Sequence, residues 1–84
     1  MTHHASPSFW RAYEALPEQV RKLADKQFEL LKSNPDHPSL HFKRVGRFSS
    51  ARVGSRYRAF AVDVEDGLLW WWIGTHADYD RLVG

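Results

Sequence analysis

The chain has 84 residues, of which 43% are hydrophobic and 26% charged, with a formal net charge of +2 and no cysteine. This length accommodates a single domain over residues 1–84, and the composition excludes wholesale disorder, a disulfide framework and a thiolate metal site. The longest apolar run, Leu68–Ile73, is too short to cross a bilayer and no signal peptide is recognisable, so we expect a soluble cytoplasmic protein without a membrane partner.

Basic residues are concentrated in the middle of the sequence. Residues 1–40 are balanced in charge, whereas residues 59–84 carry five acidic side chains and one basic one. An unbroken basic stretch repels itself unless a partner or solvent compensates it, so the middle segment predicts a surface that faces a polyanion. The alternative is a solvated strand face that is rich in arginine. Residues 41–58 contain no acidic residue and six basic ones, with His41 beside them: Lys43, Arg44, Arg47, Arg52, Arg56 and Arg58.

The N-terminal half of the sequence predicts a helical hairpin. Residues 1–7 lack periodicity, and we expect them to be frayed. A first helix is expected after Ser8 as its N-cap, and it should end at Pro17, which suits the first position of a second helix. The second helix should end at Asn34-Pro35. Its apolar residues recur three and four positions apart and form one face, Val20, Leu23, Ala24, Phe28 and Leu31.

The C-terminal half predicts a sheet that covers this hairpin. Turn signals, of which Asp66-Gly67 is the clearest, separate extended segments over residues 40–45, 50–53, 56–64 and 68–73. The last segment does not alternate, so both of its faces should be covered, with its three tryptophans split between them. Gly74 is expected to end this strand, and Thr75 to cap a short helix. The expected fold is α+β, an N-terminal helical hairpin packed on a three- to four-stranded antiparallel sheet with a short C-terminal helix.

Two motifs carry a family resemblance. Residues 52–58 are Arg-Val-Gly-Ser-Arg-Tyr-Arg, and residues 73–79 are Ile-Gly-Thr-His-Ala-Asp-Tyr. In this order and spacing, the chain from about residue 9 to residue 83 resembles the RelE/ParE superfamily of bacterial type II toxins. Members of that family usually begin with a β-strand, whereas only a short polar segment precedes the first helix here. The sheet is therefore expected to be a strand smaller than usual.

The resemblance implies one of two activities. RelE-like members are ribosome-dependent endoribonucleases that cut mRNA in the decoding site and use no metal or other cofactor, whereas ParE-like members poison DNA gyrase. Both kinds are held inactive by a small antitoxin protein. We favour the RelE-like activity, with the ribosome, mRNA and a cognate antitoxin as partners. The alternatives that stay open are a gyrase-directed toxin and a catalytically inactive binding module.

The family pattern also assigns roles to individual residues. Arg58 matches the arginine that contacts the scissile phosphate, and Arg52 matches a neighbouring basic strand position; a guanidinium suits bidentate phosphate contact. His76 matches a proton-transfer position, and Tyr79 matches a tyrosine that stacks on a base or activates the nucleophile. Three features count against catalysis. Ser50 stands where RelE-like nucleases often carry lysine, Asp78 and Asp80 put negative charge beside the expected site, and no glutamate lies in the basic stretch. Residues expected to position RNA are His41, Lys43, Arg44, Arg47 and Arg56, and no metal ligand is expected.

Overall fold

The computed structural model describes residues 2–83, which form one five-stranded sheet with two helices on one face and a third helix at its end. In chain order the elements are β1 (Thr2–Ala5), α1 (Pro7–Glu14), α2 (Glu18–Ser33), a 3₁₀ turn (Pro38–Leu40), β2 (Lys43–Val45), β3 (Phe48–Val53), β4 (Tyr57–Val64), β5 (Gly67–Thr75) and α3 (His76–Val83). The strands lie in the sheet in the order β1-β5-β4-β3-β2, in which β2 to β5 are antiparallel neighbours and β1 pairs with β5 in parallel.

The N-terminal segment is a strand, so the expectation of frayed residues 1–7 is wrong over residues 2–5. The backbone N–H of Thr2 donates to the carbonyl of Asp66 (3.1 Å), and that of Ser6 donates to the carbonyl of Trp70 (2.9 Å). Met1 lies outside the described residues. The sheet is thus five-stranded and mixed rather than three- to four-stranded and antiparallel. The short segment escaped notice because an exposed four-residue edge strand needs no alternating apolar pattern.

The first helix begins two residues earlier than expected. Ser6 is its N-cap and accepts a hydrogen bond from the N–H of Phe9 (3.2 Å), with Pro7 at the first helical position. Ser8, the predicted cap, instead donates its hydroxyl to the carbonyl of Trp71 (2.8 Å) and so ties α1 to β5. The second helix begins at Glu18 with Pro17 as its N-cap and ends at Ser33, close to the predicted limits.

The bounds of two strands, β2 and β5, differ from the prediction. Leu40 belongs to the 3₁₀ turn, so β2 is only three residues long, and Gly46-Arg47 alone makes the turn into β3. Gly74 does not end β5, which continues to Thr75. A Cβ built on Gly74 would lie 2.4 Å from Cζ2 of Trp72, so this glycine leaves room for an indole that lies along the strand.

The helices and the sheet enclose the main core. It is built from buried residues of α2, the 3₁₀ turn and the helix-facing side of β3 to β5, among them Leu31, Leu40, Val53, Trp70 and Ile73. None of the helices in residues 2–83 is long and apolar enough to span a membrane.

The opposite face of the sheet has an aromatic cluster of its own around Phe60, which is fully buried. The ring of Phe60 lies 5.9 Å from that of Trp71 and 5.5 Å from that of Trp72. The pairing of β4 with β5 shifts register between Phe60 and Ala61, whose partners are Trp72 and Trp70. Trp71 therefore has no register partner. The three tryptophans are divided between the two faces, with Trp71 and Trp72 beside Phe60 and Trp70 in the main core, but they do not alternate strictly along the strand.

Replacement of Gly67 by alanine should detach β1 from the sheet. A Cβ at this position would lie 1.9 Å from the backbone oxygen of Thr2, and backbone cannot yield as a flexible side chain can. We expect a loss of about 1–3 kcal/mol in the free energy of unfolding and faster amide exchange in residues 2–5. Gly46→Ala is the control, because its Cβ meets nothing within 4 Å and the strain from its φ of +61° is confined to the turn between β2 and β3, so exchange in β1 should stay unchanged. Equal exchange rates in the parent and Gly67→Ala would contradict this role for Gly67.

The attachment of β1 should also weaken at acidic pH. His3 Nδ1 accepts a hydrogen bond from Trp70 Nε1 (3.1 Å), which requires an unprotonated nitrogen. Burial, together with the positive charges of Lys32 and His4, lowers the pKa of His3 below its ordinary value of 6.5. The unfolded chain then binds more protons, so stability is lost as the pH falls below about 6.5. The pKa values of Asp63 and Asp66 are lowered from 3.8, so these carboxylates act in a separate, more acidic range.

Melting temperatures between pH 7.5 and pH 5 measure this effect. His3→Gln keeps an acceptor for the Trp70 indole but does not titrate, so its melting temperature should fall less over this range than that of the parent. If the melting temperatures of the parent and His3→Gln fall equally with pH, His3 is not responsible for the loss of stability at acidic pH.

Candidate active site

Two arginines lie side by side on the sheet face that the helical hairpin leaves uncovered. Tyr57 packs against the main core, so Arg58, the next residue along β4, points to the other face. Arg52 of β3 is the direct cross-strand partner of Arg58, and Gly74 of β5 pairs with Arg58 on the opposite side. Paired residues point to the same face of a sheet. Arg52 and Arg58, the arginine pair, therefore stand on neighbouring strands, about 4.8 Å apart.

The start of α3 brings two further side chains to this face. The N–H of Asp78 donates to the Thr75 hydroxyl (3.1 Å), which confirms Thr75 as the cap, and the N–H of His76 donates to the carbonyl of Arg56 (2.6 Å). The ring of Tyr79 lies 4.7 Å from that of Phe60. These contacts fix the first turn of α3, so the side chains of His76 and Tyr79 lie beside the arginine pair.

Arg58 has buried donors without a partner. Its Nε and Nη1 are inaccessible to solvent and make no hydrogen bond within the described part of the chain. The guanidinium carbon lies 5.6 Å from the centre of the Tyr79 ring, a cation–π arrangement. A buried donor left unpaired costs about 1–3 kcal/mol, and more when the group is charged. The site therefore holds a cation without a counter-anion among residues 2–83, and Nη2, which is not enclosed as Nε and Nη1 are, is the nitrogen that a phosphate oxygen can reach.

His76 and Tyr79 form a stacked pair. Their rings are nearly parallel, 12° apart in orientation with centres separated by 5.6 Å, and the side chain of His76 is 52% exposed. Its Nδ1 lies 3.7 Å from a carboxylate oxygen of Asp80, while Asp78 faces Arg81 at 3.4 Å. The ring is half-exposed and therefore open to a substrate. This environment suits an imidazole that donates a proton.

Arg52 is held in place by the turn that follows it. Its Nε donates to the carbonyl of Gly54 (2.9 Å), and its Nη1 lies 3.4 Å from Nε2 of His41. Gly54 has a φ of +68° and its missing Cβ leaves room for Leu23 of α2 at 2.7 Å, so this turn is fixed against the hairpin. The structure thus brings Arg52, Arg58, His76 and Tyr79 to one face and places His41 at its edge.

The remaining basic residues are distributed around the site. Lys43 pairs with Ser50 and so shares the face of the arginine pair, while Arg47 and Arg56 are exposed in the turns before β3 and β4. Arg44 points to the other face, where Nη1 lies 3.0 Å from Oδ1 of Asp63 and its charge is compensated. This ion pair holds the pKa of Asp63 below its ordinary range. Of the five residues predicted to position RNA, Arg44 is thus turned away from the arginine pair, and Arg47 stands at the far end of β3, about 17 Å from Arg52.

Sequence reasoning did not single out the residue that supports the site, Phe60. Its buried ring contacts the ring of Tyr79 and thereby positions α3 next to the arginine pair. The signal was present, because Phe60 follows Arg58 by two residues and therefore shares its face. Within the described residues, no group of three His, Cys, Asp or Glu side chains is placed to hold a metal ion.

Comparison with known proteins gives a family and a fold. Residues 18–81 match the family model described as the ParE-like toxin domain. No curated protein sequence matches the chain significantly. A chain of the RelB-RelE antitoxin-toxin complex from Methanococcus jannaschii has a TM-score of 0.73 at 16% identity, with 96% of this chain and 99% of that chain covered.

Two further solved structures share the fold. YafQ from Escherichia coli has a TM-score of 0.69 at 15% identity, with coverage of 93% of this chain and 96% of that one. YoeB from Staphylococcus aureus, solved as a dimer, has a TM-score of 0.61 at 11% identity, with coverage of 90% and 97%. At these identities the likeness lies in the arrangement of the helices and strands.

Proposed function

Because the chain belongs to the family of ParE-like toxin domains, we propose that it is the toxin of a type II toxin–antitoxin module and cleaves mRNA at the ribosome. The observation that carries the proposal is the convergence of Arg58, His76 and Tyr79 on one face, where the Arg58 guanidinium has no carboxylate partner among the described residues. A site that keeps an uncompensated cation beside an open imidazole is suited to a phosphodiester.

The chemistry needs three functions that this face supplies. The 2′-hydroxyl of the RNA attacks the adjacent phosphate, and the arginine pair stabilises the negative charge that develops on its oxygens. His76 gives a proton to the leaving 5′-oxygen. The ring of Tyr79 offers a surface on which an unstacked base can lie. Lys43 and Arg56 add positive charge near this face, and with Arg47 at the far end of β3 they position the RNA backbone.

The partner in the resting state is a cognate antitoxin protein. A structural relative was crystallised as the RelB-RelE antitoxin-toxin complex, and its fold covers 96% of this chain. Such a partner is expected to supply the negative charge that compensates the basic face.

A gyrase-directed toxin is the second candidate. The matching family model is described as ParE-like, and Ser50 is fully buried in the position where RelE-like nucleases often carry a lysine. A gyrase-directed toxin predicts DNA damage and intact mRNA after expression of the protein is induced.

Mapping of mRNA 5′ ends after brief induction of the protein distinguishes a ribosome-dependent nuclease from a gyrase-directed toxin. Cuts at a fixed position within codons, confined to translated messages, are expected for the nuclease. As a matched control, Arg11→Met changes an exposed arginine on α1 and should cut with the same pattern. Intact messages together with induction of the DNA-damage response would contradict the nuclease proposal and favour gyrase.

A further inference from the structure

A second imidazole, that of His41, lies at the edge of the candidate active site. Its Nε2 is 3.4 Å from Nη1 of Arg52, and the residue is exposed. A guanidinium only donates hydrogen bonds, so Nε2 is the acceptor in this contact and Nδ1 is the nitrogen that bears hydrogen. His41 therefore places the lone pair of Nε2 next to the arginine pair.

The backbone holds this ring in an uncommon conformation. His41 has φ 43° and ψ 42°, which makes it the one non-glycine residue with positive φ among residues 2–83. A left-handed conformation is disfavoured for a residue with a Cβ. The preceding Leu40 is 1% exposed, and the N–H of His41 donates to the carbonyl of Pro38 (3.2 Å). The loop thus fixes the ring against Arg52 at a cost in stability.

Carboxylates that would compete for the role of proton acceptor are engaged elsewhere. Asp80 faces His76 and Asp78 faces Arg81, both within α3. Residues 41–58 contain no Asp or Glu. On the β2–β3 side of the arginine pair, His41 is the group of the described chain that can take up a proton near neutral pH.

We propose that His41 is the general base of the cleavage reaction and that His76 is its general acid, an inference that rests on the proposed nuclease function. Nη1 of Arg52 turns from His41 to a phosphate oxygen and frees the lone pair of Nε2, which takes the proton of the 2′-hydroxyl as the 2′-oxygen bonds to phosphorus. The bond from phosphorus to the 5′-oxygen breaks, and His76 donates its proton to that oxygen. The products are a 2′,3′-cyclic phosphate and a 5′-hydroxyl, and exchange with water restores both rings.

The two rings stand on opposite sides of the arginine pair. His41 adjoins Arg52 on β3, whereas His76 stacks on Tyr79, whose ring is the one that Arg58 of β4 faces. A phosphate held between the two guanidinium groups then has an acceptor on one side and a donor on the other. This order matches in-line displacement, in which the attacking and leaving oxygens lie on opposite sides of phosphorus.

The substitution His41→Asn tests the base. Asparagine tolerates the left-handed backbone and its side-chain oxygen accepts from Arg52, but it takes up no proton at neutral pH. Single-turnover cleavage of mRNA on purified programmed ribosomes should fall by about 10²–10⁴-fold. The parent should show a bell-shaped pH–rate profile, whereas the variant should lose the limb that rises with pH. The ribosome concentration that gives half of the maximal cleavage rate should be the same for the variant and the parent.

A substrate with a 5′-thio leaving group assigns the proton transfers. Sulfur leaves without protonation, so this substrate should restore His76→Gln to near the parental rate and leave His41→Asn slow. His37→Gln is the matched control, because His37 lies in the same loop with its ring turned to Ser39 (Nδ1 to Oγ, 2.9 Å), and its profile should be bell-shaped.

Four outcomes contradict the assignment. A bell-shaped profile in folded His41→Asn and His41→Gln, or a change confined to half-saturation by ribosomes, would make His41 a residue that only positions phosphate. Restoration of His41→Asn by the 5′-thio substrate would reverse the roles of the two histidines. A parent protein that leaves mRNA intact would refute the nuclease function itself, and with it the base.

Discussion

Arg58→Met is expected to abolish toxicity while the protein stays as stable as the parent or becomes more stable. The guanidinium stabilises charge on the phosphate, and the loss of such a donor costs about 10²–10³-fold in rate. In the free protein the same group buries Nε and Nη1 without partners. Methionine keeps the length of the stem but removes that penalty, since replacement of a buried unpaired polar group is neutral or stabilising.

Growth after induction, cleavage in vitro and the melting temperature would be measured together. Arg11→Met is again the control, since Arg11 is exposed on α1 and should change none of the three. A less stable Arg58→Met protein would show that the guanidinium has a structural partner, and full toxicity of the folded variant would refute the catalytic assignment of Arg58.

His76→Gln and Tyr79→Phe are expected to separate proton transfer from packing. Loss of a general acid should lower cleavage by about 10²–10⁴-fold without loss of ribosome binding, which rests on the basic residues around the site. Tyr79→Phe keeps the ring that packs on Phe60 at 4.7 Å, so α3 should stay in place. If the ring serves as a stacking surface, Tyr79→Phe retains activity; if the phenol takes part in chemistry, cleavage falls.

Ribosome pelleting and cleavage would be assayed on the same preparations, with circular dichroism as the check on folding. Cleavage by His76→Gln at the parental rate would exclude proton transfer by His76. Loss of ribosome binding in that variant would show instead that the imidazole serves recognition.

The sequence was sufficient to predict the parts of the fold that depend on periodicity or on turn chemistry. The apolar face of α2, the Asp66-Gly67 turn and the cap at Thr75 all follow from local rules, and the structure confirms them. β1 depends on a partner more than 60 residues away, because its backbone pairs with Gly67 to Trp70. Residues 2–5 contain no alternating apolar pattern that would indicate this pairing, so local rules could not detect the strand.

The candidate site shows a similar division. The motif at residues 52–58 gives the arginines, and strand alternation places Arg52 and Arg58 on one face once their pairing is known. The register shift beside Phe60 was not predictable, because it depends on how Trp71 and Trp72 share space above the sheet. The contact of His41 with Arg52 depends on a left-handed residue outside any strand, which no periodic pattern encodes.

Cleavage of mRNA by the purified protein on programmed ribosomes is the most direct measurement of the central claim, that the arginine pair with His76 and Tyr79 forms a nuclease site. The parent is expected to produce one cut per message in the decoding site, with a 2′,3′-cyclic phosphate on one fragment and a 5′-hydroxyl on the other. Arg58→Met is expected to bind the same ribosomes and leave the message intact. Equal cleavage by the parent and Arg58→Met, or an uncut message with the folded parent protein, would contradict the claim.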